Sequence, residues 1–376
     1  MRIERIEVFV FRAPTPAPVA TSFGVMRDRP AVFVRLTDDQ GVQGWGEIFA
    51  NWPAAGAEHR AHLLIRDIGP MFLGRAFDSP WDLWTWLSDA THIRALQCGE
   101  PGPFAQVLAG LDTAAHDICA RHLDMPLARA LNPEALAEVP VYASGIAIDR
   151  ADPLISAARR RGISRFKVKV GFDMEQDLAR LAALVADFEP HESLCADANQ
   201  AWSIMQALTF LSAGAGLGLT WLEEPLPADR PATEWAALAN VGAIPLAAGE
   251  NIAGSADFSA ALAAGHLSFL QPDVAKWGGV SGCWQVAQEA LRASVTYCPH
   301  YLGGGIGLIA SAHLLAAAGG PGVLELDANP NPLRDAFFDH DPVQNGRWQL
   351  NTEPGLGISD LPQALLPFET LALELS

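Results

Sequence analysis

Six acidic or histidine side chains recur down the middle of this chain at intervals of 23 to 27 residues: Asp197, Glu223, Glu250, Asp273, His300 and Glu325. Each stands where a predicted strand ends and a helix is about to begin, and the pair Lys167 and Lys169 precedes them by one more such step. The interval is the length of one strand-loop-helix-loop unit. A parallel barrel built from such units gathers its strand ends at one mouth, so distant residues converge there. Charges scattered for solubility would not keep that phase, and the pattern points to a metal-assisted enzyme.

The rest of the chain can be read around that series. Residues 1–50 read as antiparallel β, with Asp38-Asp39-Gln40-Gly41 as the turn of a hairpin. Before the hairpin, Pro14, Pro16, Pro18 and Gly24 predict a mobile loop rather than a strand. From about 57 to 131 apolar residues recur at three and four, as in a helix. Strands are predicted at 139–147, 165–170, 193–196, 219–222, 243–247, 266–270, 294–298 and 322–326. Helices fall near 152–162, 174–187, 203–213, 231–240, 255–264, 279–292 and 305–317. Eight strands alternating with helices imply a parallel sheet that can close into a barrel, so the fold class is α/β. The expected division is a capping domain over 1–131, a barrel over 132–335 and a segment over 336–376 that returns to the capping domain without a further unit.

With 376 residues the chain exceeds one small core. Its net charge of −18 argues against nucleic acid or an anionic membrane surface as partner. Five widely spaced cysteines without a CxxC pair read as free thiols in a reducing compartment. The N-terminus lacks a signal-like apolar stretch, and no window reaches membrane-spanning length. A cytoplasmic location is expected.

Lys167 and Lys169 alternate with Phe166, Val168 and Val170, so on a strand both ammonium groups share one face. Turned into a barrel, each would depress the other's pKa, which is how a lysine becomes a base near neutral pH. The competing reading is a surface pair on an edge strand. Asp197, Glu223 and Glu250 end successive strands, and three converging carboxylates would need a divalent cation to stay ionised. An all-oxygen set favours Mg²⁺ or Mn²⁺ over zinc. Periodicity alone does not choose between Glu223 and Glu224, which point to opposite sides of a strand. Asn199, two after Asp197, could reach the same mouth. Asp273 and His300 end neighbouring strands, where a carboxylate would orient the imidazole and make it more basic. His116 and His313 lie on helical patterns and read as core hydrogen-bonding groups. Glu325, opposite a metal, could serve only if protonated or hydrogen-bonded to substrate.

The strings Lys167-Val168-Lys169, Asp197-Ala198-Asn199-Gln200, Trp221-Leu222-Glu223-Glu224-Pro225, Gly249-Glu250-Asn251 and Gln271-Pro272-Asp273-Val274-Ala275-Lys276-Trp277-Gly278-Gly279 together resemble the enolase superfamily. Pro299-His300 and Leu324-Glu325 narrow the resemblance to its mandelate racemase subgroup, over nearly the whole chain. The resemblance implies a (β/α)7β modified TIM barrel under an α+β cap, with Glu353-Pro354-Gly355-Leu356-Gly357-Ile358 in the returning segment. It implies Mg²⁺-assisted removal of the proton alpha to a carboxylate, giving an enediolate. By motif position Asp197, Glu223 and Glu250 would hold the metal, and Glu223 rather than Glu224 is the match. Lys169 would be one acid/base, tuned by Lys167, which would also touch the substrate carboxylate. His300, backed by Asp273, would act on the other face, and Glu325 would donate a hydrogen bond to the carboxylate being enolised. Lys276 matches a motif lysine outside the catalytic set.

In the resembled family two capping loops choose the substrate, here about 14–30 and 47–57, with Phe23, Met26, Arg27, Arg29, Phe49, Asn51 and Trp52. Arg27 or Arg29 could bind a second carboxylate or hydroxyls. The stretch 325–334 is similar to members acting on sugar acids and their lactones. The expected reaction is dehydration or cycloisomerisation of a small carboxylate of that kind by a homo-oligomer. Racemisation or epimerisation is the alternative, and a barrel that binds without turnover the second.

Overall fold

Asp38 caps its own turn: its Oδ1 accepts from Gln40 N at 3.0 Å and Val42 N at 2.8 Å. Gly41 supplies the positive φ of 80° that closes the turn. The computed structural model describes residues 1–21 and 24–376, the side chains of 16–21 excepted. On it β1 (Ile3–Thr21), β2 (Gly24–Asp38) and β3 (Gln43–Ile48) form a meander. Helix Pro101–His122 packs on β3, where glycine is required because a Cβ on Gly46 would stand 2.0 Å from Gly110 O. Helix Pro80–Cys98 begins where Ser79 Oγ accepts from Asp82 N at 3.2 Å and ends at Gly99 with φ 71°.

The proline-rich stretch expected as a loop is strand. Pro14 pairs with Asp28, the register breaks, and Val19, Ala20 and Thr21 pair with Met26, Val25 and Gly24. β1 has a partner on its other side only from Ile6 to Phe11, so beyond Phe11 it is an edge, where missing N–H groups cost no ladder bond.

The barrel strands are β4 (Glu138–Ala147), β5 (Arg165–Lys169), β6 (Ser193–Asp197), β7 (Leu222–Glu223), β8 (Leu246–Ala248), β9 (Phe269–Leu270), β10 (Thr296–Tyr297) and β11 (Leu324–Asp327). β4 to β10 pair in sequence order, all parallel, and β11 pairs with β4 from the far side. Among the described residues no ladder joins β10 to β11. The later strands are shorter than the sequence suggests, because only isolated bonds continue the pairing, such as Thr220 N to Leu194 O at 2.8 Å and Ser268 N to Leu246 O at 2.9 Å. Two of the intervening helices start on local side-chain caps: Asp173 accepts from Gln176 N, and Ser203 with Gln206 forms a capping box.

Side chains inside the barrel form a dry floor of Tyr142, Cys195, Trp221, Ala247, Cys298 and Val323. Two residues further along several of these strands, the inward positions become Ser144, Asp197, Glu223, His300 and Glu325. A polar layer thus rests on an apolar one, at the C-terminal ends of the strands. His116 and His313 are buried helix residues bonded to Ser281 Oγ (2.9 Å) and Ala128 N (3.1 Å).

Beyond the barrel the sequence reading missed a unit. β12 (Val343–Gln344) and β13 (Arg347–Gln349) form a hairpin turned by Asn345-Gly346, at φ 50° and 73°, and β13 adds antiparallel to β4. β14 (Glu369–Leu375) then pairs antiparallel with β1. The architecture is an α/β parallel barrel under an α+β cap.

Candidate active site

The barrel register aligns Lys169 with Asp197 and Asp197 with Glu223. Glu250 follows β8 through Gly249, whose φ of 154° and close approach to the Gln271 backbone leave no room for a side chain. Asp273 and His300 are opposed in a single parallel bridge just beyond β9 and β10. Strand phase therefore brings Lys167, Lys169, Asp197, Glu223, Glu250, Asp273, His300 and Glu325 to one mouth.

Their contacts form one continuous ionic network. Lys167 Nζ lies 2.7 Å from Glu223 Oε1, 2.7 Å from Glu325 Oε1 and 3.5 Å from Asp197 Oδ2. Lys169 Nζ meets Asp197 Oδ2 at 2.7 Å. His300 is held at both ring nitrogens, Nδ1 to Asp273 Oδ2 and Nε2 to Glu250 Oε2, each at 2.7 Å. Glu223 also accepts from Trp221 Nε1 at 3.1 Å and Gln271 Nε2 at 2.8 Å. Glu325 accepts from Ser144 Oγ at 2.5 Å and Tyr301 N at 3.0 Å, which ties β11 to the chain after β10 across the seam that lacks a ladder.

Electrostatics inside this layer departs from the sequence expectation in two places. Burial lowers the Lys169 pKa, but the carboxylates of Asp197, Glu250 and Glu223 together outweigh it and the ammonium is held above its ordinary value. Lys167 behaves likewise, raised well above the ordinary lysine value by Glu223 and Glu325 against its burial. Mutual depression by the two lysines is the weaker effect, because each has a carboxylate closer than the other lysine can compensate. Glu325 is the second departure. Burial works to raise its pKa, yet Lys167 and His300 hold it below the usual carboxylate range. The donor role that the resemblance implies for Glu325 would require its protonated form, against the pull of Lys167 and His300. Burial and then the charge of Asp197 push Glu223 up to about 7, against the pull of Lys167. Glu250 is held well below its ordinary value, His300 and Lys276 outweighing its burial. His300 is raised well above the ordinary histidine value, Glu250 and Glu325 outweighing its burial.

Among the described residues no three His, Cys, Asp or Glu groups close around a point in the manner of a metal site. Asp197, Glu223 and Glu250 instead each turn to a nearby cation. The charges nevertheless do not balance. Asp197, Glu223, Glu224, Glu250, Asp273 and Glu325 face only Lys167, Lys169, Lys276 and His300. Carboxyl groups outnumber their cations here, and an excess of oxygen donors of this kind fits a hard divalent cation.

The mouth opens into a cleft of about 1300 Å³ between barrel and cap. Aromatic rings of Phe49, Trp52 and Phe172 share its wall with the amides of Asn51, Gln106, Asn199, Gln200, Asn251 and Asn329. Asn199, at φ 44°, bonds through its backbone N to Asp197 Oδ1 at 2.8 Å. Trp52 lines the cleft with its carbonyl held by Arg60 Nη2 at 3.1 Å. Arg29 also lines it, but not as a free cation: it is buried and ion-paired with Asp327 at 2.6 Å, so its charge is already met. Phe23 lies outside the described residues.

Sequence reasoning passed over several groups that the structure places here. Lys276 sits 3.3 Å from Glu250, 3.0 Å from Asn251 Oδ1 and over the Phe49 ring. Glu224, at φ 39°, is buried with both oxygens on Asn251 Nδ2; burial and then the Glu250 charge raise its pKa well above normal. Ser144 and Asp327 could have been found by strand parity, since Asp327 is two residues from Glu325; Gln271 could have been found two before Asp273.

Two family models match the chain: the mandelate racemase / muconate lactonizing enzyme N-terminal domain over residues 5–131 and the enolase C-terminal domain-like model over 151–363. D-galactarolactone cycloisomerase of Agrobacterium fabrum is 28% identical, the match covering 98% of this chain and 99% of that protein. A mandelate racemase/muconate lactonizing enzyme crystal structure from Bordetella bronchiseptica RB50 superimposes with a TM-score of 0.92 at 44% identity, covering 97% of this chain and 99% of that one. L-talarate dehydratase from Polaromonas sp. JS666, solved with Mg and L-glucarate, superimposes with a TM-score of 0.84 at 25% identity, covering 100% and 99%.

Proposed function

The chain belongs to the mandelate racemase/muconate lactonizing enzyme family of the enolase superfamily, and from that premise we propose that it removes the proton alpha to the carboxylate of a sugar acid or its lactone. The reaction passes through an enediolate and goes on by dehydration or cycloisomerisation. The observation that carries this reading is the position of two proton-transfer groups across one mouth. Lys169 ends β5 and His300 follows β10, three strands apart one way around the barrel and five the other.

Asp197, Glu223 and Glu250 would hold one Mg²⁺, a role whose oxygen donors also suit Mn²⁺. When bound, such an ion stabilises negative charge developing on a substrate carboxylate. Lys167, fully buried between Glu223 and Glu325, places a fixed ammonium beside that charge at no reorganisation cost. Removing an alpha proton creates a second negative charge on an already anionic group, which is why cations must be in place beforehand. His300, oriented through Nδ1 by Asp273, lines the cleft with Nε2 against Glu250 Oε2 at 2.7 Å, and that nitrogen would take or return the proton of a bound substrate. Lys169 does the same from the opposite side. One group takes the alpha proton while the other protonates the departing beta oxygen, and the enol product relaxes to a 2-keto-3-deoxy acid.

The substrate class follows from the cleft wall and the relatives. Amides in number with aromatic faces suit a polyhydroxylated chain. The cycloisomerase from Agrobacterium and the dehydratase from Polaromonas are named for sugar-acid substrates. A panel of acid sugars and lactones incubated in D2O with Mg²⁺, followed by NMR and mass spectrometry, tests the reading. Deuterium at the alpha carbon together with a 2-keto-3-deoxy or rearranged lactone product supports it. Interconversion of epimers without either product would replace it with a racemase.

A further inference from the structure

The loop that carries His300 is built around a carboxylate from the other domain. Helix Gly305–Ala318 begins at Gly304 with no side-chain cap of its own. The missing cap comes from Glu47 on β3 of the capping sheet: Oε1 accepts from Gly304 N at 2.6 Å and Oε2 from Gly307 N at 2.9 Å. Glu47 is buried. Glycines leave it room, since a Cβ on Gly304 would stand 2.8 Å from Glu47 Oε1 and one on Gly307 would stand 2.3 Å from the Tyr301 ring. Two more residues at the end of the same strand reach the same catalytic loops. Phe49 N donates to Ala275 O at 3.2 Å, and Ala275 N in turn donates to Asp273 Oδ1 at 2.8 Å. Asn51 Nδ2 donates to Leu302 O at 3.1 Å. The three alternate residues Glu47, Phe49 and Asn51 thus touch both halves of the Asp273–His300 pair's support, and Trp52 follows directly in the cleft wall.

We propose that Glu47 is a positioning residue for His300, bracing the 300–307 loop from the capping domain so that the imidazole keeps its angle to the cleft. The inference rests on the two-face reading of the reaction above. Nothing comparable in β3 reaches Lys169, which is fixed by its own strand register and by Asp197. Damage to the brace therefore falls on one face of the reaction alone.

Glu47→Gln is the probe, because an amide offers one acceptor where two backbone N–H groups converge, and its own N–H would confront the other. Deuterium exchange at the alpha carbon is followed at saturating substrate for both epimers, in wild type, His300→Asn, Glu47→Gln and Asn51→Ala. His300→Asn identifies the epimer served by the histidine. Glu47→Gln should slow exchange of that same epimer by about tenfold or more, as displacement of an acid/base group does, and leave the other within about twofold. Asn51→Ala should slow exchange of the histidine-served epimer more than the other, to a smaller degree than Glu47→Gln does, and it carries the test if Glu47→Gln does not fold. Equal effects on both epimers, or none, in the folded variants would overturn the proposal. A His300→Asn protein that does not distinguish the epimers would instead overturn the two-face reading on which the proposal stands.

Discussion

Arg29 Nη1 lies 2.6 Å from Asp327 Oδ2, with the two side chains 8% and 5% exposed. The pair fastens the capping hairpin to β11, two residues from Glu325. Breaking it from one side leaves the buried Asp327 carboxylate without its cation, held by Asn329 N at 2.9 Å and Asn329 Nδ2 at 2.8 Å, a loss of up to about 3–5 kcal/mol. We expect Arg29→Ala to lower the urea midpoint by a corresponding amount and to raise KM, while Arg29→Ala combined with Asp327→Asn recovers part of the stability. An Arg29→Ala protein as stable as wild type would mean that the pair contributes no net attraction.

Glu223 and Glu224 are adjacent and both fully enclosed, yet they face different partners. Replacing Glu223 by Gln should weaken Mg²⁺ binding by about two orders of magnitude or more, at least as much as an outer-shell loss, and abolish turnover. Glu224→Gln should cost on the order of 1–2 kcal/mol of stability through its bond to Asn251 and weaken Mg²⁺ far less. Calorimetric titration of both variants decides, and tight Mg²⁺ binding retained by Glu223→Gln removes that residue from the ligand set.

Lys169→Ala and His300→Asn should each abolish alpha-proton exchange from one epimer and spare the other. Mass spectrometry on separated epimers in D2O reads this directly. If both variants exchange the same epimer equally well, the two groups do not work on opposite faces.

Where the cap helix meets the barrel helix Gly279–Arg292, Asp112 accepts from Ser281 Oγ at 2.6 Å and Ser281 N at 2.8 Å. Burial pushes its carboxyl up to about 7, those two donors only partly offsetting the effect. In the unfolded chain the group ionises near its ordinary 3.8, so the unfolded state loses the proton first. Its contribution to stability is present below about pH 4 and fades as pH rises to about 7. Neighbouring His116, pushed down to about 3 by burial, slopes the other way in wild type and variant alike. Asp112→Asn should therefore gain on wild type steadily between pH 4 and pH 7 in denaturation midpoints. A constant difference across that range would show that Asp112 does not titrate on unfolding.

Legibility in the sequence followed what strand parity can reveal. Lys169, Asp197 and His300 could be placed because a repeating unit fixes which end of each strand is shared, whereas only its motif separates Glu223 from Glu224. The charge state of Lys169 could not, since it depends on a 2.7 Å approach to Asp197 that only packing decides. Arg29 read as a free cation because its partner lies some 300 residues away in sequence, beyond any local rule. The prolines after Phe11 misled for a different reason: proline excludes a central strand, but an edge tolerates it. Asn345-Gly346, by contrast, was a readable hairpin signal overlooked behind the barrel count.

β14 reaches back to pair with β1, Thr370 lying beside Val10 across 360 residues of chain. On the ribosome, β1 emerges long before the strand that will cover its outer side. Through that interval the segment Ile6–Phe11 offers an open, largely apolar edge to other nascent chains. Its alternation with Glu7, which Arg35 holds in a two-pronged ion pair, keeps one charge on that edge while it waits. The cap is thus the part of the molecule whose assembly spans the longest stretch of synthesis, and the part most open to misassociation while folding is under way.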